Sequence, residues 1–328
     1  MRRGVGVLAV CAALLVTPAA IPVAAAEPQC PVQVAIRPVS LPVDGEEATG
    51  RVYEPYRCTP GDLTPENLVV AVHGHGGSAA DFADYLSSIV RRTATPFLVM
   101  DLRNASSKWK TGEWNLWVGW HDVVAATQWY KKEHPVDRTV LWGWSQGGIT
   151  SGLALAHGPR DLFDYWVDNY GPADDFTMWL DAPRIAPGLR RQIERDAGGC
   201  TPIVCPQSYY ERSPALLAGQ MDFERAFLVH GTSDAVIPFS ASTEMRAALA
   251  ASGKPFSMYT VVSGRDLDGK VVPGDHNIGP AFFEGGCVVE RLVTGTEPVS
   301  GPDRDYVIDI AQGIVTAPAA PEAAKCAA

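Results

Sequence analysis

Ser145 lies in Gly143-Trp144-Ser145-Gln146-Gly147, a G-x-S-x-G pentapeptide between the apolar run TVLW at 139–142 and the helix-spaced, small-residue run ITSGLALAHG at 149–158. A serine placed where a strand turns into a helix presents its hydroxyl at a sharp bend, and slim glycine neighbours let the two elements approach. The chemistry such a residue serves is attack on an acyl carbon. A hydroxyl is a poor nucleophile until a base takes its proton, and that base must itself be oriented by an acid. Of seven histidines, His276 in Pro273-Gly274-Asp275-His276-Asn277 is the expected base, because it follows the last strand-like run in a polar, glycine-containing loop. His73 and His75 belong to a separate glycine-rich motif, and His121, His134 and His157 fall on or at the ends of predicted helices. Asp234, in the His230-Gly231-Thr232-Ser233-Asp234-Ala235-Val236-Ile237-Pro238 segment after an apolar run, is the expected acid, with Asp168 as its substitute. The oxyanion of a tetrahedral intermediate needs backbone donors. One is expected from Gln146 and the second from Val72-His73-Gly74-His75-Gly76-Gly77, at His75 or else at Gly76. His73-x-His75 also permits a metal-pair reading, but GGSAAD after it brings no second histidine cluster, so neither metal nor cofactor is expected.

The elements that must hold these residues follow from periodicity. Apolar runs at 67–73, 97–101, 139–144, 165–170, 226–231 and 256–262 predict strands. Stretches at 78–92, 120–134, 146–157, 239–252 and 278–291 predict helices between them. Continuous apolar strands alternating with helices imply an α/β fold, a mainly parallel sheet with helices on both faces. Arg51-Val52-Tyr53 predicts a leading antiparallel strand, and the strand rhythm breaks over about 173–225, where a cap-like insertion over the site is expected. The region from about 293 to 328 is expected to be a loose tail with one apolar run, Tyr306 to Val315. All nine tryptophans fall between Trp109 and Trp179. Trp144, beside the nucleophile, and Trp114 and Trp117, in a polar loop region, are expected to form an aromatic wall that contacts substrate, while Trp129 and Trp142 are expected to pack in the core.

The 328 residues allow a large core, and one catalytic domain over 27–328 is expected. Residues 1–26 read as an export signal: Arg2 and Arg3, an apolar run of 13 residues from Gly4 to Val16, then Ala24-Ala25-Ala26. That run is shorter than the roughly 20 residues that span a bilayer, so no stable membrane anchor is expected. Without Cys11 six cysteines remain, Cys30, Cys58, Cys200, Cys205, Cys287 and Cys326, an even number suited to three disulfides in a secreted chain. Sequence leaves the connectivity open, although closeness along the chain favours Cys30 with Cys58, Cys200 with Cys205 and Cys287 with Cys326. The full chain carries 27 basic and 37 acidic residues, a charge of −10; without Arg2 and Arg3 it is −12. Such acidity weighs against nucleic acid or anionic membranes as partners.

The order nucleophile, acid, histidine, with gaps of 89 and 42 residues, together with VHGHGG, GWSQGG, HGTSDAVIP and GDHN, resembles an α/β-hydrolase serine hydrolase over about 65–292. More narrowly, GWSQGG, SYYERSPA at 208–215 and HG-x-x-D-x-x-I-P resemble the prolyl oligopeptidase and dienelactone hydrolase-like branch. The resemblance implies an acyl-enzyme on Ser145, Asp234 and His276 and a small-molecule, polymeric ester or peptide substrate. The sequence shows no room for the large β-propeller of prolyl oligopeptidases and no acidic amine-reading motif. The first expectation is therefore a carboxylic ester hydrolase and the alternative a secreted peptidase or amidase. A non-catalytic binding protein and a chelator-sensitive metallohydrolase are the readings from other classes.

Overall fold

The computed structural model describes residues 30–103, 113–321 and 324–327. The export signal expected at 1–26 and Trp109 lie outside these residues. The chain opens with a hairpin of β1 (Gln33–Val43) and β2 (Glu46–Tyr56), turned at Asp44-Gly45 with both residues in left-handed backbone. There follow β3 (Asn67–Val72), α1 (Ala83–Thr93), β4 (Phe97–Met100), α2 (Leu116–Glu133), β5 (Arg138–Trp144), α3 (Gln146–His157) and β6 (Tyr165–Asn169). A helical segment comes next, with α4 (Asp175–Ile185), α5 (Leu189–Asp196), α6 (Pro206–Tyr210) and a 3-10 turn at Pro214–Gln220. The rest is β7 (Arg225–Gly231), α7 (Ser240–Ala251), β8 (Phe256–Arg265), β9 (Val271–Pro273), α8 (Pro280–Val293), β10 (Arg304–Asp309) and β11 (Ile314–Val315).

These strands form one sheet in the order β1-β2-β4-β3-β5-β6-β7-β8-β10-β11, with β9 paired to β8. From β4 to β10 every neighbouring pair on this path is parallel, and β1, β2, β9 and β11 add the antiparallel pairings. The central strands are apolar on both faces because both faces are covered. On β3, Leu68, Val70 and Val72 join a core with Val123 and Tyr130 of α2, Ala154 of α3 and Leu249 of α7. The intervening Val69 and Ala71 join Leu86 and Ile89 of α1 and Phe282 and Val288 of α8 on the other face. This is the α/β-hydrolase fold, a mainly parallel sheet with helices on both sides.

Three local departures from the sequence reading have physical causes. α1 starts at Ala83 rather than Ser78 because Ser78 and Asp81 close a turn, the Ser78 N–H donating to Asp81 Oδ2 at 2.8 Å, and Phe82 then takes left-handed backbone. α2 starts at Leu116 rather than Trp120, so Trp117 rides the helix with Trp120 and not a polar loop. The run expected in a loose tail instead forms β10, parallel to β8, with Tyr306 against Tyr259 at 4.8 Å. Cysteine partners follow closeness along the chain: Cys30–Cys58, Cys200–Cys205 and Cys287–Cys326, with Cα separations of 5.4, 6.0 and 5.7 Å. Among the described residues no helix is long and apolar enough to cross a membrane.

Candidate active site

Ser145 sits between the last residue of β5 and the first of α3, with φ 55° and ψ −125°, a conformation that non-glycine residues adopt at a cost. The bend is held by the Ser145 N–H donating to Asn169 O and the Gly148 N–H donating to Ser145 O. It also requires bare neighbours, since a Cβ on Gly147 would run into Val72 O and one on Gly143 into Gly147 O. The motif glycines are thus explained by strand and helix crossing at contact distance.

Two other loops at the same sheet edge meet this serine. Asp234 follows β7, where its Oδ1 accepts from the Val236 and Ile237 N–H groups, both at 2.8 Å, which fixes the carboxylate plane. Its Oδ2 accepts from His276 Nδ1 at 2.7 Å. With Nδ1 committed as donor, His276 Nε2 is the unprotonated nitrogen, and it lies 2.9 Å from Ser145 Oγ, placed to accept that hydroxyl proton. His276 is carried by the loop between β9 and α8, beyond a short hairpin that the sequence reading did not resolve. Tyr170, just past β6, lays its ring 4.7 Å from the imidazole.

The electrostatics distinguish the two aspartates considered for the acid. Burial pushes the Asp234 carboxyl up, but hydrogen bonds from His230 and His276 outweigh it and hold the group at about 2. His230 is fully buried; its Nδ1 accepts from Ser242 at 2.7 Å while Nε2 donates to Ile237 O at 3.0 Å and stands 3.3 Å from Asp234 Oδ2. Asp168, the substitute, is buried in β6 and pushed up to about 7 by desolvation, with only the Gly171 N–H, at 3.1 Å, lowering it. Its oxygen is wedged against Gly148 and Gly171, and the hydrogen bond it accepts comes from a backbone N–H, not from a histidine.

Of the expected oxyanion donors, Gln146 opens α3, where first-turn N–H groups have no intrahelical acceptor. His75 and Gly76 line the serine cleft, and the His75 ring is fixed by donating from Nδ1 to Gln146 Oε1 at 2.7 Å. The two histidines of His73-x-His75 have different partners: His73 is buried, donating from Nδ1 to Gly74 O at 2.8 Å, and burial lowers its basicity.

The cleft has a volume of about 410 Å³ and is walled by Gly74 to Gly77, Asp81, Phe82, Trp144, Tyr170, Ile185, Val236 and Ile278 around Ser145 and His276. Trp144 is on that wall, as expected. Trp114 and Trp117 are not, and this corrects the aromatic wall. Trp114 is buried behind His75, its ring 6.3 Å away and its Nε1 donating to Asp175 at 3.1 Å. Trp117 packs edge-on to Trp120 and His157 under the Arg212 guanidinium, 4.8 Å from its ring. The walls that sequence reasoning missed are Phe82, Tyr170, Ile185, Val236 and Ile278. The one signal that pointed toward any of them was position: Tyr170 ends a predicted strand and precedes Gly171-Pro172.

Comparison with known proteins bears on the fold. The prolyl oligopeptidase family matches residues 104–265. Among solved structures, an acylaminoacyl peptidase from Pyrococcus horikoshii is 17% identical with a TM-score of 0.58, over 75% of this chain and 38% of that one. A puromycin-hydrolyzing peptidase from Mycobacterium tuberculosis is 20% identical with a TM-score of 0.57, over 81% of this chain and 41% of that one. Carboxyl esterase 2 from the mycorrhizal fungus Tuber melanosporum is 17% identical with a TM-score of 0.52, over 70% of this chain and 76% of that one. The chain thus matches only about two fifths of the length of the two peptidases. No curated protein matches the sequence.

Proposed function

We propose that this α/β-hydrolase-fold serine hydrolase, similar to the prolyl oligopeptidase branch, cleaves amide bonds of peptides or acylated amines through a covalent acyl-enzyme. Ser145 is the nucleophile, His276 the base and acid, and Asp234 the group that fixes the imidazole. The observation that carries the reading is the unbroken chain Asp234 Oδ2, His276 Nδ1, His276 Nε2, Ser145 Oγ, with links of 2.7 and 2.9 Å, ending in a cleft. In the first half-reaction Ser145 Oγ bonds to the acyl carbon and its proton moves to His276 Nε2; the C–N bond then breaks and the same proton goes to the leaving nitrogen. Water repeats the sequence against the acyl-enzyme. The oxyanion is assigned to the N–H groups of Gln146 and His75, with Gly76 next to them.

The family match and the peptidases among the similar folds favour amide over ester, the reverse of the first expectation from sequence. The ester reading keeps one specific support, the fungal esterase, which this chain matches over most of that protein's length. We assign the signal at 1–26 to export, for which three disulfides are suited, and the helices between β6 and β7 to a cap on the domain spanning 27–328. The test is fluorophosphonate labelling with identification of the modified residue, followed by kcat/KM for amide and ester pairs sharing one acyl group. Labelling at Ser145 with turnover of the amides is expected. Labelling elsewhere removes the nucleophile assignment, and turnover of esters alone removes the amide preference.

A further inference from the structure

Next to the serine cleft is a second cavity of about 340 Å³, lined by Tyr85, Ser88, Leu267, Phe283 and, at its charged rim, Asp84 and Lys325. Among the described residues, Phe82 and Ile278 line both cavities. Phe82 holds left-handed backbone, φ 58°, at the entrance to α1, with its ring braced 5.9 Å from Trp144 and 5.2 Å from Phe282. A phenylalanine in that conformation costs on the order of 1 kcal/mol or more, and such strain gathers at ligand sites. Ile278 is 38% exposed and Leu267, in the loop joining β8 to β9, is 57% exposed, so two large apolar side chains face solvent around one aromatic-floored hollow.

We propose that the two cavities are one continuous substrate groove and that the second receives the leaving-group portion of the substrate, an uncharged chain segment bearing an aromatic or bulky apolar group. The side of the substrate follows from proton transfer. His276 Nε2 delivers its proton to the departing atom, so the leaving group lies on the histidine side of the acyl carbon, and Ile278 stands two residues beyond His276 in the same loop. The rim carries one charge of each sign, which gives a strongly ionic group no net attraction, while Tyr85, Phe283 and Leu267 offer flat apolar contact. This proposal rests on the serine hydrolase reading and adds the class of leaving group to it.

The test uses the full protein and two substrate series. One keeps an acetyl-alanyl acyl group and lengthens the leaving amine from glycinamide to phenylalaninamide to phenylalanyl-phenylalaninamide; the other keeps glycinamide and enlarges the acyl group in parallel. Burial of a phenyl ring predicts a rise in kcat/KM of about tenfold or more along the first series. Leu267→Asp, on an exposed loop, and Ser88→Phe, which fills the hollow, are each expected to reduce the long-to-short ratio at least fivefold or so. A flat leaving-group series, selectivity confined to the acyl series, or a ratio unmoved by both variants overturns the groove. Fluorophosphonate labelling of Ser145, which needs no extended leaving group, is run beside it. If labelling persists while the series is flat, the groove alone fails; if neither labelling nor turnover occurs, the serine hydrolase reading fails and the groove with it.

Discussion

Replacing Asp234 with asparagine probes the tautomer of His276 more sharply than deletion does, because the surrounding hydrogen bonds decide which way the amide turns. Asp234 Oδ1 accepts from two backbone N–H groups, Val236 and Ile237, at 2.8 Å each. An asparagine carbonyl oxygen placed there keeps both. Turning it to face His276 leaves two loop donors opposed by an amide N–H₂, at a cost of about 1–3 kcal/mol for each buried donor left unsatisfied. The oxygen therefore stays at the Oδ1 position and the NH₂ occupies the Oδ2 position, 2.7 Å from His276 Nδ1. His276 must then accept at Nδ1 and carry its proton on Nε2, where it cannot receive the Ser145 proton. His230 Nε2, 3.3 Å from Oδ2, would also face the NH₂, but it keeps Ile237 O as an acceptor at 3.0 Å and so opposes this orientation less than the two 2.8 Å loop donors oppose the other.

The wrong tautomer in such a triad lowers kcat by roughly 10⁴-fold, about 5.5 kcal/mol at ~1.4 kcal/mol per decade. The assay is kcat on a short acyl substrate for the wild-type protein, Asp234→Asn and Asp234→Ala, with thermal unfolding of each. Asp234→Asn is expected to melt close to the wild type, whereas Asp234→Ala strands both loop N–H groups and loses stability by about 1–3 kcal/mol for each. A kcat for Asp234→Asn within tenfold of the wild type would refute the tautomer argument, and with it the placement of the acid at Asp234.

Ser145→Gly is expected to abolish turnover by about a million-fold and also to raise stability by about 1 kcal/mol or more, because glycine tolerates the φ of 55° that strains serine; a destabilised but inactive variant would show that the elbow stores no strain. Asp168, pushed up to about 7 by burial, keeps its proton in the folded state between pH ~4 and ~7 while the unfolded chain has lost it, so its contribution to stability falls as pH rises through that window. Asp168→Asn is expected to flatten that part of the pH–stability curve and to retain turnover; an unchanged slope in urea melts from pH 4 to 8 counts against it. Thiol titration of the denatured, unreduced protein is expected to find none of the six cysteines free. By loop size, losing Cys287–Cys326, which closes 39 residues, is expected to cost about 4 kcal/mol and losing Cys200–Cys205, which closes 5, about 2, an order that single Cys→Ser pairs followed by denaturant melts can reverse.

The sheet and the meeting of Ser145, Asp234 and His276 were legible because each depends on a short stretch of chain. A strand buried on both faces writes its apolar run into the sequence, and the serine turn demands glycines that a Cβ clash makes irreplaceable, so the strand ends, and the loops they launch, can be located one at a time. The tryptophan wall failed for the opposite reason. Trp114 and Trp117 read as loop residues because Asn115 and Glu113 look polar, yet the segment from Leu116 is the first turn of α2, where Trp117 is taken up by Arg212 and His157, while Trp114, just before the helix, is buried and bonded to Asp175.

The residues that do wall the cleft come singly from separate loops, after β3, β6, β7 and β9 and from the end of α4, and no spacing along the chain joins them. What they share is invisible in residue types. Six non-glycine residues among those described have left-handed φ, and three of them, Phe82, Ser145 and Tyr170, line the same cleft. A side chain held there at an energetic cost must be held by its surroundings, here Trp144 and Phe282 around Phe82, and His230 and His276 against Tyr170. Sequence marks such backbone when glycine supplies it, as at Gly76, but not where Phe82 and Tyr170 adopt it. The catalytic geometry is therefore encoded locally, whereas the shape that selects the substrate arises from packing among elements far apart in the chain.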